Sequence, residues 1–150
     1  MELILWRHAE AEEGVPDNAR ALTAKGEKQA VKIATFLRTI LPQDTRSLVS
    51  PAKRARQTAQ AFTDNFTTEP NVGPGALPEA ILKAAGWPDG EGSVLIVGHQ
   101  PTLGQTAALL MTGHPDCWSI KKGAIWWLSR RARESDCQTS LRLIIAPEHL

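Results

Sequence analysis

The chain has 150 residues, the size of one domain, and 42% of them are hydrophobic, so it can bury a core without metals or disulfides. Its 17 Lys and Arg residues against 16 Asp and Glu residues give a formal net charge of +1, which argues against general nucleic-acid binding. No basic segment leads into a long apolar stretch, so we expect one cytoplasmic domain over residues 1–150, with no signal peptide and no membrane contact.

Strands and helices alternate along the predicted fold. Residues 3–6 are apolar at every position, which is typical of a central strand covered on both faces. Residues 11–22 are rich in turn-forming residues and form a loop. A helix follows from the N-cap Thr23 to Pro42, with its apolar side chains at helical spacing, and residues 47–49 form the second strand.

The second predicted helix begins at Ser50 and Pro51, because serine is a favourable N-cap and proline is tolerated at the first helical position. Its predicted buried stripe comprises Ala55, Ala59, Phe62 and Phe66. Three basic residues lie in its first two turns, where the helix dipole disfavours cations, and this suggests a bound anion. The alternative is solvated surface charge, which is the preferred interpretation for Lys53.

The second half of the chain continues the alternation. The predicted elements are an irregular segment at 67–76, a short helix at 77–85, a strand at 94–97, a helix ending near Gly113, and strands at 124–128 and 141–145 joined by a polar connection around 130–136. This order predicts an α/β fold, a three-layer α/β/α sandwich with a mostly parallel central sheet.

Three predicted strands end in polar groups that suit a phosphate site. Arg7 and His8 follow the first strand, a basic helix follows the second, and His99 follows the strand at 94–97. Because ligands bind at the carboxyl ends of the strands in such sheets, these side chains could surround one phosphoryl group. Helical phase alone does not choose between Arg54 and Arg56 on the basic helix.

Four segments carry a family resemblance. Residues 5–10 (Leu-Trp-Arg-His-Ala-Glu) resemble the Arg-His-Gly/Ala motif of the histidine phosphatase superfamily, which has the phosphoglycerate-mutase-like fold. Residues 50–59 are similar to its Ser-Pro-x-x-Arg-Ala-x-Gln-Thr-Ala segment, and residues 97–101 match its second histidine segment. Residues 20–26 resemble its Arg-x-Leu-Thr-x-x-Gly segment. The small size resembles the short bacterial protein phosphohistidine phosphatases of the SixA type.

The resemblance implies a role for each matching residue. His8 would be the nucleophile that carries a transient phosphoryl group. Arg7 and Arg54, the arginine that the motif selects, would hold the phosphate oxygens. His99 would donate a further hydrogen bond to the phosphoryl group, and Arg20 is a weaker candidate for substrate binding.

The proton donor is the open point of this comparison. Glu79 is the candidate, since many relatives place a carboxylate in a comparable region. The alternative is that Glu79 is an ordinary charged residue in the first turn of a helix. Glu10 is the other nearby carboxylate. Gln100 stands where the acid-phosphatase and phytase branch has aspartate, which disfavours that branch.

The expected substrate is a phosphorylated protein that carries phosphohistidine. The segment 71–92 is too short for a large cap domain, and imidazole leaves more easily than an alkoxide, so no strong general acid is needed. No carboxylate or Cys/His cluster has metal-ligand spacing, so we expect neither metal nor cofactor. Cys117 and Cys137 are interpreted as two reduced thiols, with a disulfide as the open alternative.

Three alternatives remain at this stage. The protein could be a phosphatase or mutase that acts on small phosphate esters, and the short chain disfavours the mutase. It could be a non-catalytic module that binds phosphoproteins, but such a module would not need His8. A nucleotide-binding domain is disfavoured because the chain has no Gly-x-x-x-x-Gly-Lys loop.

Overall fold

A six-stranded sheet runs through the centre of the computed structural model, which describes residues 1–131 and 139–150. The strands are β1 (Glu2–Arg7), β2 (Arg46–Val49), β3 (Thr67–Thr68), β4 (Ser93–Gly98), β5 (Ile125–Arg130) and β6 (Thr139–Ile145). Their order across the sheet is β3-β2-β4-β1-β5-β6. The first four in this order are mutually parallel, whereas β5 pairs antiparallel with β1 and with β6. The mostly parallel sheet is therefore confirmed. Cys137 and most of the predicted polar connection lie outside the described residues.

Helices cover both faces of this sheet. They are α1 (Ala24–Ile40), α2 (Lys53–Gln60), α3 (Pro78–Ala85) and α4 (Thr102–Thr112). Ile4 and Trp6 of β1 pack in one core with α1 and α2, while Leu3 and Leu5 pack in a second core with α3 and α4. All four side chains are fully buried, which explains why this strand is apolar at every position. The three-layer α/β/α prediction is confirmed.

The predicted start of the second helix is wrong. Helix α2 begins at Lys53 with Ala52 as its N-cap, and Ser50 and Pro51 lie before it in a turn. The Ser50 hydroxyl accepts a hydrogen bond from the Ala52 N–H and contacts the ring of His99, so it caps a turn rather than the helix. The helix ends at Gln60, and Phe62 and Phe66 reach the core from the chain that follows it. Residues 67–68, predicted to be irregular, form the short edge strand β3.

The chain just after β1 packs directly against the start of α1. Thr23 is the N-cap as predicted, and its hydroxyl accepts from the Gly26 N–H at 2.9 Å. A Cβ on Gly26 would lie 2.0 Å from the carbonyl oxygen of Glu10, so only glycine allows this approach. The segment that carries His8 is thereby held against a helix. Within the described ranges, no helix is both long and apolar enough to cross a membrane.

Candidate active site

A polar cavity of about 300 Å³ opens at the carboxyl ends of β1, β2 and β4. The predicted residues Arg7, His8, Arg20, Arg54 and His99 all line it, together with the exposed Lys122 among others. Right-handed winding of the parallel strands brings their ends to one edge, which is why residues far apart in the sequence meet there. The rings of His8 and His99 lie with their centroids 5.1 Å apart.

The hydrogen bonds of His8 fix which ring nitrogen is free. Nδ1 lies 2.7 Å from the carbonyl oxygen of Ala9, which can only accept, so Nδ1 carries the proton in the neutral ring. Nε2 then has the lone pair, and it accepts from Nε of Arg54 at 3.4 Å. The free nitrogen Nε2 therefore faces the arginine and the cavity.

Burial keeps the imidazole of His8 neutral. Burial, together with the positive charges of Arg54, Arg7 and Arg20, lowers the pKa of His8 to about 4, against the raising effect of the Ala9 hydrogen bond. Burial and the neighbouring His8 and Arg54 lower the pKa of His99 to about 3. Both rings are therefore neutral at physiological pH, and His8 retains the lone pair that an attack on phosphorus requires.

We expect NMR titration of the ring nitrogens to show this directly. The signals of His8 and His99 should stay constant from about pH 8 to about pH 5.5 and change only below it, because their pKa values are lowered to about 4 and about 3. An ordinary histidine, with a pKa of about 6.5, would titrate within that range. Because the unfolded chain takes up these protons first, the free energy of unfolding should fall as the pH drops from about 6.5 towards 4. A His8 midpoint near 6.5 would contradict the buried neutral ring.

Arg54 is the most deeply enclosed cation of the site, with 4% of its side chain exposed. Its Nε donates to His8, its Nη2 lies 3.4 Å from Nδ1 of His99, and its other donors bind Asp17. Arg56, the alternative left open by helical phase, is exposed and binds the carbonyl oxygen of Pro51. The structure thus places Arg54 at the two histidines and Arg56 on the surface.

Ser50 holds His99 in place, a role that the sequence did not reveal. The Ser50 Oγ lies 2.7 Å from Nε2 of His99, and both residues are almost completely buried. A hydroxyl can donate or accept, so it can serve His99 in either neutral tautomer. Nδ1 of His99 can accordingly face the cavity as an acceptor or as a donor.

Ser50→Ala should destabilise the protein by about 1–3 kcal/mol, because it leaves a buried imidazole nitrogen without a partner. Urea unfolding of Ser50→Ala, His99→Ala and the double variant would measure the coupling between the two side chains. We expect the two losses to be clearly non-additive. Strict additivity would show that the hydrogen bond contributes nothing.

Two more residues of the 50–59 segment tie the site together. Thr58 Oγ1 accepts from the backbone N–H of Ala9 at 3.1 Å and donates to the carbonyl oxygen of Arg54. Gln57 accepts from the backbone N–H of Leu22, two residues after Arg20. Helix α2 therefore fixes both the segment that carries His8 and the loop that carries Arg20. The motif contained these residues, but only the structure shows what they hold.

The carboxylates considered as proton donors lie outside the cavity. Glu79 is exposed in the first turn of α3, and Glu10 accepts a hydrogen bond from Thr23 at the start of α1. Gln100 lines the cavity, but its amide donates to the carbonyl of Trp118 and accepts from the N–H of Gly104. No Asp or Glu among the described residues lines the cavity, and none of them forms a cluster able to hold a metal ion.

The amino-acid sequence of the chain matches both a family model and known proteins. The model of the histidine phosphatase superfamily (branch 1) matches residues 3–76. An uncharacterized protein of Picosynechococcus is 32% identical over 167 aligned positions, covering 100% of this chain and 99% of that protein. The phosphohistidine phosphatase SixA of Escherichia coli is 31% identical over 123 positions, covering 75% of this chain and 76% of that protein.

The fold of the chain also matches that of a solved structure. A structure of the protein histidine phosphatase SixA complexed with tungstate superimposes with a TM-score of 0.82 at 23% identity, covering 99% of both chains. The chain therefore belongs to the histidine phosphatase superfamily. Within that superfamily it is SixA-like in sequence and structure.

Proposed function

We propose that this protein is a protein phosphohistidine phosphatase that acts through a covalent phosphoryl group on Nε2 of His8. The observation that carries the proposal is the neutral His8 ring, whose free Nε2 faces Arg54 in a cavity that no described carboxylate lines. The E. coli relative named a phosphohistidine phosphatase supports the same substrate class.

In the first step, Nε2 of His8 attacks the phosphorus of the substrate. A bond forms between Nε2 and phosphorus while the bond from phosphorus to the substrate imidazole breaks, and its electron pair stays on that imidazole. The proton on Nδ1 of His8 stays on Nδ1, where it is donated in a hydrogen bond to the carbonyl oxygen of Ala9. Arg54, Arg7 and His99 stabilise the charge on the phosphoryl oxygens. The Nε–H of Arg7, which is buried without a partner, would gain one in a phosphoryl oxygen.

In the second step, water attacks the phosphoryl group on His8. The bond between Nε2 and phosphorus breaks, inorganic phosphate leaves, and Nε2 regains its lone pair. The proton lost by the water passes to the phosphate product or to solvent, so the neutral ring is restored. The positive charges of Arg7 and Arg54 offset the charge of the phosphate throughout, and no metal is needed for that purpose.

No described Asp or Glu lines the cavity, and this favours imidazole as the leaving group. An alkoxide requires a proton in the transition state, and a positioned acid contributes about 10²–10⁴-fold to such reactions. The imidazole of a phosphohistidine side chain can take a proton from solvent on its remote nitrogen. A cavity whose described lining contains no carboxyl group is therefore better suited to the P–N bond than to an alkyl ester.

A basic pocket next to the cavity supports a protein substrate. It has a volume of about 390 Å³, shares Arg7 and Lys122 with the cavity, and also includes Lys25 and Lys121. All three lysines are exposed, and Lys121 is paired at 2.8 Å with Glu148, which also lines this pocket. This surface could receive acidic side chains that flank the phosphorylated residue.

A hydrolysis panel tests the proposal. The kcat/KM for a phosphohistidine peptide should exceed that for sugar phosphates by roughly 10²-fold or more, with aryl phosphates between them, because leaving-group ability replaces the missing acid. Glu79→Gln and Glu10→Gln should leave phosphohistidine hydrolysis nearly unchanged. Efficient turnover of sugar phosphates that Glu79→Gln abolishes would instead assign the protein to the metabolite phosphatases.

A further inference from the structure

Asp17 bridges two arginines of the cavity. It lies in the 3-10 turn Asp17–Ala19, within the loop between β1 and α1, and 59% of its side chain is exposed. One carboxylate oxygen is 3.0 Å from Nη2 of Arg54, and the other is 3.0 Å from Nη2 and 3.1 Å from Nε of Arg20. A single surface carboxylate thereby ties together two cations that would otherwise repel each other.

The edges of the Arg54 guanidinium are used in different ways. Its end edge, Nη1 and Nη2, donates to Asp17: Nη1 to the backbone carbonyl at 2.8 Å and Nη2 to the carboxylate. Its side edge, Nε and Nη2, faces Nε2 of His8 and Nδ1 of His99, each at 3.4 Å. Since the five N–H groups have a fixed planar geometry, holding the end edge also fixes the direction of the side edge.

The chemistry of Asp17 excludes two other roles. Slight burial acts to raise the pKa of its carboxyl, but the hydrogen bonds and charges of Arg54 and Arg20 lower that pKa overall, so the group is ionised and has no proton to donate at neutral pH. Asp17 also leaves the side edge of Arg54 uncovered. A phosphoryl group can therefore reach that edge without displacing the carboxylate.

We propose that Asp17 is a positioning residue for phosphoryl transfer. It holds the end edge of Arg54 so that the side edge presents two parallel donors to phosphoryl oxygens beside His8. Arg20 steadies the carboxylate by binding its other oxygen. This role rests on the function proposed above for Arg54.

The test is Asp17→Asn, which keeps the shape of the side chain and removes its charge. Glu13→Gln is the matched control, because Glu13 is an exposed carboxylate of the same loop that contacts neither arginine. Residues that orient metal ligands through hydrogen bonds contribute about 10–100-fold to affinity or activity, and we take the same scale for a carboxylate that orients a phosphate-binding arginine. We therefore expect Asp17→Asn to weaken orthovanadate binding, measured by calorimetry, and to lower kcat on a phosphohistidine peptide by that factor. Glu13→Gln should change neither.

A second comparison separates positioning from general stability. In an Arg54→Lys background, Asp17→Asn should cause no further loss of vanadate affinity, since an ammonium group has no edge to direct. The Nε–H NMR signal of Arg54 should shift in Asp17→Asn, and circular dichroism and thermal unfolding would verify that the variant is folded under the assay conditions. Unchanged or tighter vanadate binding, or an equal loss in the lysine background, would overturn the proposal. If the wild type does not hydrolyse phosphohistidine but vanadate binding still depends on Asp17, the proposed substrate is wrong and the positioning role of Asp17 stands.

Discussion

His8→Ala is expected to lower phosphohistidine hydrolysis by about 10⁴-fold or more, the scale on which enzymes lose activity when a covalent nucleophile is removed. We expect that no other described side chain in the cavity replaces it, because the second imidazole, that of His99, is held by the buried Ser50. The neighbouring His99 binds Ser50 through one ring nitrogen and lies beside Arg54 with the other. Steady-state assays over a range of enzyme concentrations would measure the loss.

The fold must survive this change for the result to be informative. His8 is 9% exposed and lies at the end of β1, so its truncation should leave the sheet intact, which circular dichroism and thermal unfolding would verify. His8→Asn provides a second variant that keeps a polar side chain at the site. Near-wild-type activity in either folded variant would exclude His8 as the nucleophile.

Arg54→Ala should cost about 10²–10³-fold in kcat, the usual effect of removing a donor that stabilises charge in the transition state. The loss should be large because Arg54 contacts both histidines from a buried position. Arg54→Lys should recover little, since a lysine provides a point charge and not a forked donor. Activity would be assayed alongside thermal unfolding, because Asp17 and His8 lose a partner.

Arg56→Ala is the control on the same helix. Arg56 carries the same charge, is exposed and binds only the carbonyl oxygen of Pro51 among the contacts described. Its removal should therefore change kcat by less than about twofold, as expected for a surface substitution. If Arg56→Ala were inactive and Arg54→Ala active, the assignment of the phosphate-binding arginine would be wrong.

Much of the fold could be predicted because burial on both sides of a strand leaves a clear pattern. The apolar runs at 3–6 and 94–97 lie within β1 and β4, the two central strands. The direction of each strand was harder to predict. The antiparallel pairing of β5 with β1 and β6 depends on the path of the connecting segments, and the hydrophobic periodicity of a strand does not reveal that path. The start of α2 was misplaced because Ser50 followed by Pro51 suits a helix N-terminus as well as it suits a turn.

The site could be predicted only where its residues belong to motifs. Arg7, His8, Arg54 and His99 match family segments, and the structure brings all four to one cavity. Ser50 belongs to a motif too, but its contact with His99 spans 49 residues and appears only in the fold.

Asp17 shows the limit of prediction more clearly. An aspartate in a turn-rich loop is ordinarily a surface residue, and nothing in the sequence distinguishes this one. Its contact with Arg54 depends on how the loop between β1 and α1 folds back over α2. Contacts of this kind follow from loop conformation, which local sequence patterns do not encode.

Isolation of the phosphorylated enzyme tests the central claim most directly. The wild type would be mixed with a peptide that carries radiolabelled phosphohistidine, quenched rapidly in alkali, and separated from the much smaller peptide before the label is located. We predict an alkali-stable, acid-labile phosphoryl group on His8, present in Arg56→Ala and absent from His8→Ala. Turnover of the peptide with no label on the protein, or with the label on a residue other than His8, would contradict the mechanism.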